Sequence, residues 1–142
     1  MRIVHVLVSL LFLAVAPLRA DPPPAGLTGV DGWIREAPPA APVRAGYVEL
    51  RNDGGHDIIV TGARSDAFGA IEIHEMVGEG DMMRMRRLRE LPIAAGAGVS
   101  LEPGGKHLML FRPQQPLAAG DTVIVTLEVA AGDPLQIELR QR

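Results

Sequence analysis

The sequence contains no cysteine. The chain therefore cannot form disulfides, and its stability has to come from buried apolar surface. It also has no thiolate to act as the strong ligand of a blue-copper electron-transfer centre. Histidine and methionine are the only soft or borderline metal-binding side chains that remain.

Signatures of catalysis and of nucleic-acid binding are also missing. We find no serine nucleophile with a base, no H-E-x-x-H zinc motif and no pair of catalytic carboxylates. The net charge of −3 at pH 7 and the lack of a basic groove argue against a nucleic-acid partner. We therefore expect a protein that is neither an enzyme nor a nucleic-acid binder.

Long apolar runs are confined to the start of the chain. A positive residue, Arg2, precedes an apolar run from residue 3 to residue 15, and Ala20 is followed by polar Asp21. This pattern is typical of a secretory signal peptide over residues 1–20, cleaved near Ala20. The alternative is an uncleaved anchor, but the run is shorter than the roughly 20 residues that a spanning helix needs. We expect an exported protein with no stable membrane insertion after cleavage.

The rest of the chain has the pattern of short strands separated by turns. Residues 21–29 are rich in proline and predict a flexible lead-in, and residues 30–142 have the length of one domain. Alternation of apolar and polar residues recurs about every ten residues, with glycine, proline and asparagine turns between and no sustained helical period. The sequence predicts a single all-β domain, a sandwich or a barrel.

Histidine and methionine are concentrated in one window of the sequence. Five of the six methionines and two of the four histidines lie between His74 and Met109. His74 and Met85 flank a glycine-rich turn and should lie on paired strands, whereas His107 and Met109 share one face of a single strand. Two imidazoles and two thioethers favour Cu(I) over harder ions. We predict that His74, Met85, His107 and Met109 bind one Cu(I); the alternative is that the methionines only fill the core.

Several neighbouring residues have a possible supporting role. Glu75 could orient His74 by accepting a ring N–H, or it is a solvated charge. Met76 and Met83 could act as spare sulfurs during copper transfer, or they form a hydrophobic rim. The arginine-rich run Arg84–Arg89 is either a solvated edge that discourages aggregation or a docking surface for an acidic partner. Its positive charge would favour Cu(I) over Cu(II).

The spacing of the four predicted ligands, H-x10-M-x21-H-x-M, resembles the signature of the periplasmic copper chaperones of the PCuAC type. The surrounding segments, Gly46–Asn52, Met83–Met85 and Pro103–Leu110, are similar to that family as well. The resemblance implies a cupredoxin-like β-barrel that carries one Cu(I) on an exposed patch, with His74, Met85, His107 and Met109 as ligands.

The same resemblance implies a function and a set of partners. Such a chaperone passes Cu(I) by ligand exchange to the CuA centre of cytochrome c oxidase subunit II, directly or with a Sco-type thiol chaperone. Some members carry a His/Met-rich C-terminal tail that takes up Cu(II), whereas this sequence ends at Gln141-Arg142. The competing hypothesis from the residues is a metal-free β-sandwich interaction module that uses the Arg84–Arg89 edge.

Overall fold

A computed structural model describes residues 26–142, which form ten β-strands and no helix. The predicted all-β, single-domain architecture is confirmed. The strands are β1 (Leu27–Ile34), β2 (Val43–Asn52), β3 (Ile58–Arg64), β4 (Phe68–Glu79), β5 (Met82–Leu88), β6 (Leu91–Ile93), β7 (Gly98–Leu101), β8 (Lys106–Pro113), β9 (Thr122–Val129) and β10 (Leu135–Gln141).

All ten strands belong to one sheet that closes on itself. The order is β5-β4-β8-β7-β2-β1-β10-β9-β3-β6, and β4 also pairs with β3, which closes the barrel. Most pairs are antiparallel, but β1 runs parallel to β10, with Trp33 opposite Arg140. The first part of β4 pairs with β3 at Ile71, and its second part pairs with β5. Strand β5 is therefore an edge strand whose one partner in the sheet is β4.

The core consists of aliphatic side chains from the inward face of each strand. Alternation is clearest in β8, where Leu108 and Leu110 are fully buried, and in β9, where Val123, Val125 and Leu127 point inward. In β4 the inward positions are Ile71 and Ile73. Since side chains alternate between the faces of a strand, the residues between these positions face the outside of the barrel.

The sheet begins earlier than the sequence predicts. Strand β1 starts at Leu27, so residues 27–29 of the predicted lead-in belong to the domain. The reason is that Leu27 is buried in the core and lies opposite Asn52 on β2. The predicted signal peptide and the remainder of the lead-in lie outside the described residues. Among residues 26–142 there is no helix with the length and hydropathy that a membrane crossing requires.

A tight hairpin joins β4 to β5. Glu79 lies opposite Met82, so only Gly80 and Asp81 form the connection, and the predicted turn at 78–81 is shorter by two residues. Gly80 has a positive φ of 61°, which glycine adopts without steric cost at the first central position of a two-residue hairpin turn. This turn fixes which residues of the two strands lie opposite each other.

Candidate metal centre

The four predicted ligands lie on three neighbouring strands, in the order β5, β4, β8. His74 on β4 is directly opposite His107 on β8. Met109 is opposite Glu72, two residues from His74 along β4. Met85 is opposite Met76, two residues from His74 in the other direction. By alternation all four side chains belong to the outward face, away from Ile73 and Leu108.

The two histidines are the centre of this arrangement. Their ring centroids are 6.0 Å apart, and the ring planes are inclined by 45°. An ion bound at about 2.0 Å to one nitrogen of each ring lies roughly 3 Å from each ring centre, so two ligating rings can have centres up to about 6 Å apart. The separation of His74 and His107 therefore fits a shared ion.

The two methionines lie at opposite ends of a diagonal through the histidine pair. Met85 and Met109 are separated by two strand spacings, about 10 Å, and by four positions along the strands, about 13 Å, before twist is considered. Each is only one diagonal step from a histidine, a distance of about 7–8 Å between backbones that a long side chain can span. The structure thus brings the histidines together and places one thioether on either side.

The predicted site is more enclosed than the resemblance implied. His107 is only 6% exposed, the His74 side chain is 14% exposed and Met109 is half-buried. Met85, on the edge strand, is 50% exposed. The expectation of an exposed patch is therefore wrong for three of the four residues, because β4 and β8 lie inside the sheet and are flanked on both sides.

A carboxylate contacts His74, but it is Glu72 and not the predicted Glu75. The Nε2 atom of His74 is 2.8 Å from Oε2 of Glu72. Glu75 instead pairs with Arg86 and, at 3.8 Å, with Lys106. The physical reason is alternation: position 72 shares a face with position 74, whereas position 75 lies on the other face. The two-residue spacing of Glu72 and His74 is visible in the sequence and indicates a shared face, whereas the adjacency of Glu75 to His74 does not.

The arginine run is largely neutralised by the neighbouring strand. Arg84 pairs with Glu79 at 3.0 Å, Arg86 with Glu75, and Arg87 with Glu72 at 3.0 Å. These carboxylates all belong to β4. The predicted positive edge is therefore a ladder of cross-strand ion pairs, which weakens the hypothesis that it docks an acidic partner or selects Cu(I) by its charge.

One buried nitrogen of the candidate site has no partner. In the part of the chain that the structure describes, two buried side-chain polar atoms lack a hydrogen bond, and one of them is Nδ1 of His74. A buried polar atom without a partner costs stability, roughly 1–3 kcal/mol. Such an atom at a predicted ligand fits a histidine that keeps a lone pair available for a metal ion.

A sequence profile for one protein family matches almost all of the described chain. The family is LpqE-like, described as "Putative lipoprotein LpqE-like", and the match covers residues 27–140. A putative lipoprotein of Leifsonia xyli subsp. xyli is 32% identical over 120 residues, which is 82% of this chain and 71% of that protein. A protein of Rickettsia prowazekii is 31% identical over 82 residues, 56% of this chain and 45% of its own length.

Solved structures share the fold. The copper-bound PCuAC domain from PmoF2 superposes with a TM-score of 0.70 at 16% identity, covering 84% of this chain and 94% of that domain. The solution structure of CuI-DR1885 from Deinococcus radiodurans gives a TM-score of 0.64 at 26% identity, covering 84% of this chain and 78% of that protein. These matches confirm the cupredoxin-like fold and the resemblance at the level of the family, whereas the ligand signature stays a prediction. The chain therefore belongs to the LpqE-like family and has the fold of a PCuAC domain.

Proposed function

We propose that this protein is a periplasmic copper chaperone that binds one Cu(I) per chain between His74 and His107. The observation that carries the proposal is the facing pair of imidazoles, with ring centres 6.0 Å apart on the paired strands β4 and β8. Imidazole alone suits several metals, but the thioethers of Met85 and Met109 on the same face favour Cu(I). The copper-bound state of PmoF2 and the CuI form of DR1885 support the choice of metal.

The exposure of the ligands supports release by ligand exchange. His74, His107 and Met109 are held by the interior strands β4 and β8, whereas Met85 lies on the exposed edge strand. The Met85 sulfur is therefore the ligand that an incoming donor reaches first. We infer that the recipient is the CuA domain of cytochrome c oxidase subunit II or a Sco-type thiol chaperone. In this proposal the protein acts as a carrier and catalyses no reaction.

The metal-free interaction module is less well supported. That hypothesis uses the Arg84–Arg89 edge as the interface, and there Arg84, Arg86 and Arg87 are each paired with a glutamate. A surface cavity of about 500 Å³, lined by residues 64–67, 115–117 and 121–124 among others, includes none of the four predicted ligands. The lining of that cavity contains no histidine and no methionine, the residue types that the sequence pattern predicts as copper ligands.

An anaerobic Cu(I) titration against a competing chelator tests the proposal. The wild-type protein should bind one equivalent, and the double variant His74→Ala/His107→Ala should lose about 100-fold or more in affinity, since both nitrogens are removed. His56→Ala is the matched control, because His56 is exposed in the loop after β2 and should leave binding unchanged. No binding by the wild-type protein, or full binding by the double variant, would contradict the proposal.

Copper transfer is then measured directly. The Cu(I)-loaded protein is mixed anaerobically with the apo CuA domain of subunit II, with or without a Sco-type chaperone, and the CuA absorption is followed. Appearance of the CuA spectrum supports the inferred recipient. If copper stays on the carrier in every mixture, the carrier function remains but the recipient is a different protein.

A further inference from the structure

The contact between Glu72 and His74 is part of a longer chain of polar contacts. Oε2 of Glu72 lies 2.8 Å from Nε2 of His74, and Oε1 of the same carboxylate lies 3.0 Å from Nη1 of Arg87. Glu72 is therefore held at both oxygens, one by a cation on β5 and one by the ring. A carboxylate fixed in this way restricts the rotation of the imidazole it contacts.

The chemistry of this contact defines which ring nitrogen carries the hydrogen. An ionised carboxylate can only accept hydrogen bonds, so Nε2 of His74 is the donor and bears the hydrogen. In a neutral imidazole the other nitrogen then has the free lone pair. That atom is Nδ1, the buried nitrogen that has no hydrogen-bond partner.

His107 has the opposite arrangement. Its Nδ1 atom is 3.2 Å from the carbonyl oxygen of Gly105, which also accepts a hydrogen bond from the amide of Met76. A carbonyl oxygen only accepts, so Nδ1 of His107 is the donor and Nε2 has the lone pair. The two facing rings thus offer different nitrogens, one set by a carboxylate and one set by the backbone.

We propose that Glu72, anchored by Arg87, is a positioning residue that holds His74 as the Nε2–H tautomer, so that His74 binds Cu(I) through Nδ1 while His107 binds it through Nε2. This proposal rests on the copper-binding function proposed above and specifies the ligating atoms. It assigns to Glu72 and Arg87 a role that the four-residue signature does not include.

A rival arrangement makes the opposite prediction. If copper binds Nε2 of His74, the Glu72 carboxylate has to leave that nitrogen first, and Glu72 would then oppose binding. Removing Glu72 would tighten copper binding under the rival arrangement and weaken it under ours. The sign of the change in affinity therefore separates the two.

Nitrogen-15 NMR of the imidazoles tests the first half of the proposal without metal. In the apo wild-type protein at neutral pH, His74 should show a protonated Nε2 and a bare Nδ1, and His107 should show the reverse. Glu72→Ala should convert His74 to a mixture of tautomers, whereas Glu79→Ala, which removes a comparable ion pair with Arg84 on the same hairpin, should not. A protonated Nδ1 on His74 in the wild-type protein would overturn the proposal.

Copper titration and NMR of the loaded protein test the second half. Glu72→Ala should weaken Cu(I) binding by about 10- to 100-fold, as expected for loss of an outer partner of a metal-binding histidine. Glu72→Gln keeps an oxygen that can accept from Nε2–H and should recover most of the affinity. On addition of Cu(I), the nitrogen shift should change at Nδ1 of His74 and at Nε2 of His107.

The possible failures are distinguishable. A shift at Nε2 of His74, or tighter binding by Glu72→Ala, would overturn this assignment while the copper-carrier function stands. If Glu72→Gln loses as much affinity as Glu72→Ala, the carboxylate acts through its charge and not through orientation, which also overturns it. Absence of Cu(I) binding by the wild-type protein would overturn the assignment and the proposed function together.

Discussion

The two sides of the candidate metal centre differ in how firmly they are held. On the β8 side, His107 and Met109 belong to a strand that pairs with β4 on one edge and with β2 and β7 on the other. On the β5 side, Met85 belongs to an edge strand that pairs with β4 alone and is exposed along its length, except at Leu88. A carrier has to hold its ion and also release it, and this division assigns holding to β8 and release to β5.

On the β8 side, one strand supplies both core residues and predicted copper ligands. Leu108 and Leu110 point into the barrel, and His107 and Met109 alternate with them and point outward. If the two faces act independently, a change on the inner face should alter stability and a change on the outer face should alter metal binding. Matched substitutions on the inner and outer faces of β8 test this expectation.

The largest effect on stability is expected for Leu110→Ala. Leu110 is fully buried between Arg44 of β2 and Ile71 of β4, and its truncation should lower the free energy of unfolding by about 2–5 kcal/mol. Urea unfolding of the apo protein measures this loss. The Cu(I) affinity of the folded variant should stay within a few-fold of wild type.

The matched change on the outer face is Met109→Leu. It preserves volume and should cost less than about 1.5 kcal/mol of stability, while it removes a sulfur ligand and weakens Cu(I) binding. If Leu110→Ala abolished binding in the folded protein, or if Met109→Leu had no effect on it, the division of β8 into a structural and a functional face would be wrong.

An intermediate effect is expected at the edge strand. Met85→Leu should increase the rate at which Cu(I) leaves the protein by about tenfold, because one soft ligand is lost and the nitrogens remain. Stopped-flow transfer to a chelator measures this rate. Met82→Leu is the control, since Met82 is 58% exposed on the same strand but on the opposite face. Equal rates for the two variants would remove Met85 from the ligand set.

The smallest effect is expected for the outermost ion pair of the hairpin. Arg84 and Glu79 are both largely exposed, and Arg84→Ala should change stability by no more than about 0.5 kcal/mol. The Cu(I) affinity should not change, because the Arg84 side chain lies on the opposite face of β5 from Met85. Thermal unfolding at low and high salt measures the first quantity. A marked fall in affinity would mean that the charge ladder on β5 contributes to copper binding after all.

Periodicity allowed much of this molecule to be predicted from sequence. The all-β architecture, the outward face shared by His74, Met85, His107 and Met109, and the inward face formed by Ile71, Ile73, Leu108 and Leu110 all follow from the two-residue repeat of a strand. The copper ligand set itself stays a prediction. What periodicity could not supply was the burial of His107, because that depends on which strands flank β8 in the closed sheet.

Two other differences have local causes. Glu75 was one candidate partner of His74 because it is adjacent in sequence, but the pleat places it on the other face and Glu72 makes that contact. The arginine run was interpreted as a solvated edge or a docking surface, and its ion pairs were not foreseen because the glutamates of β4 become neighbours of the arginines of β5 only when the hairpin closes. Cross-strand register, and not composition, determines both contacts.

The two-residue connection at Gly80 and Asp81 has a consequence for the length of the hairpin. Met85 faces outward only because the register places it opposite Met76. If the two-residue connection is kept, inserting or deleting one residue of β5 next to it would shift the register by one position and send every following side chain of β5 to the opposite face. With ten residues between His74 and Met85 and a two-residue turn, the thioether lies on the same side of the barrel as the imidazole. One residue more or fewer, with the same turn, would place it on the other side.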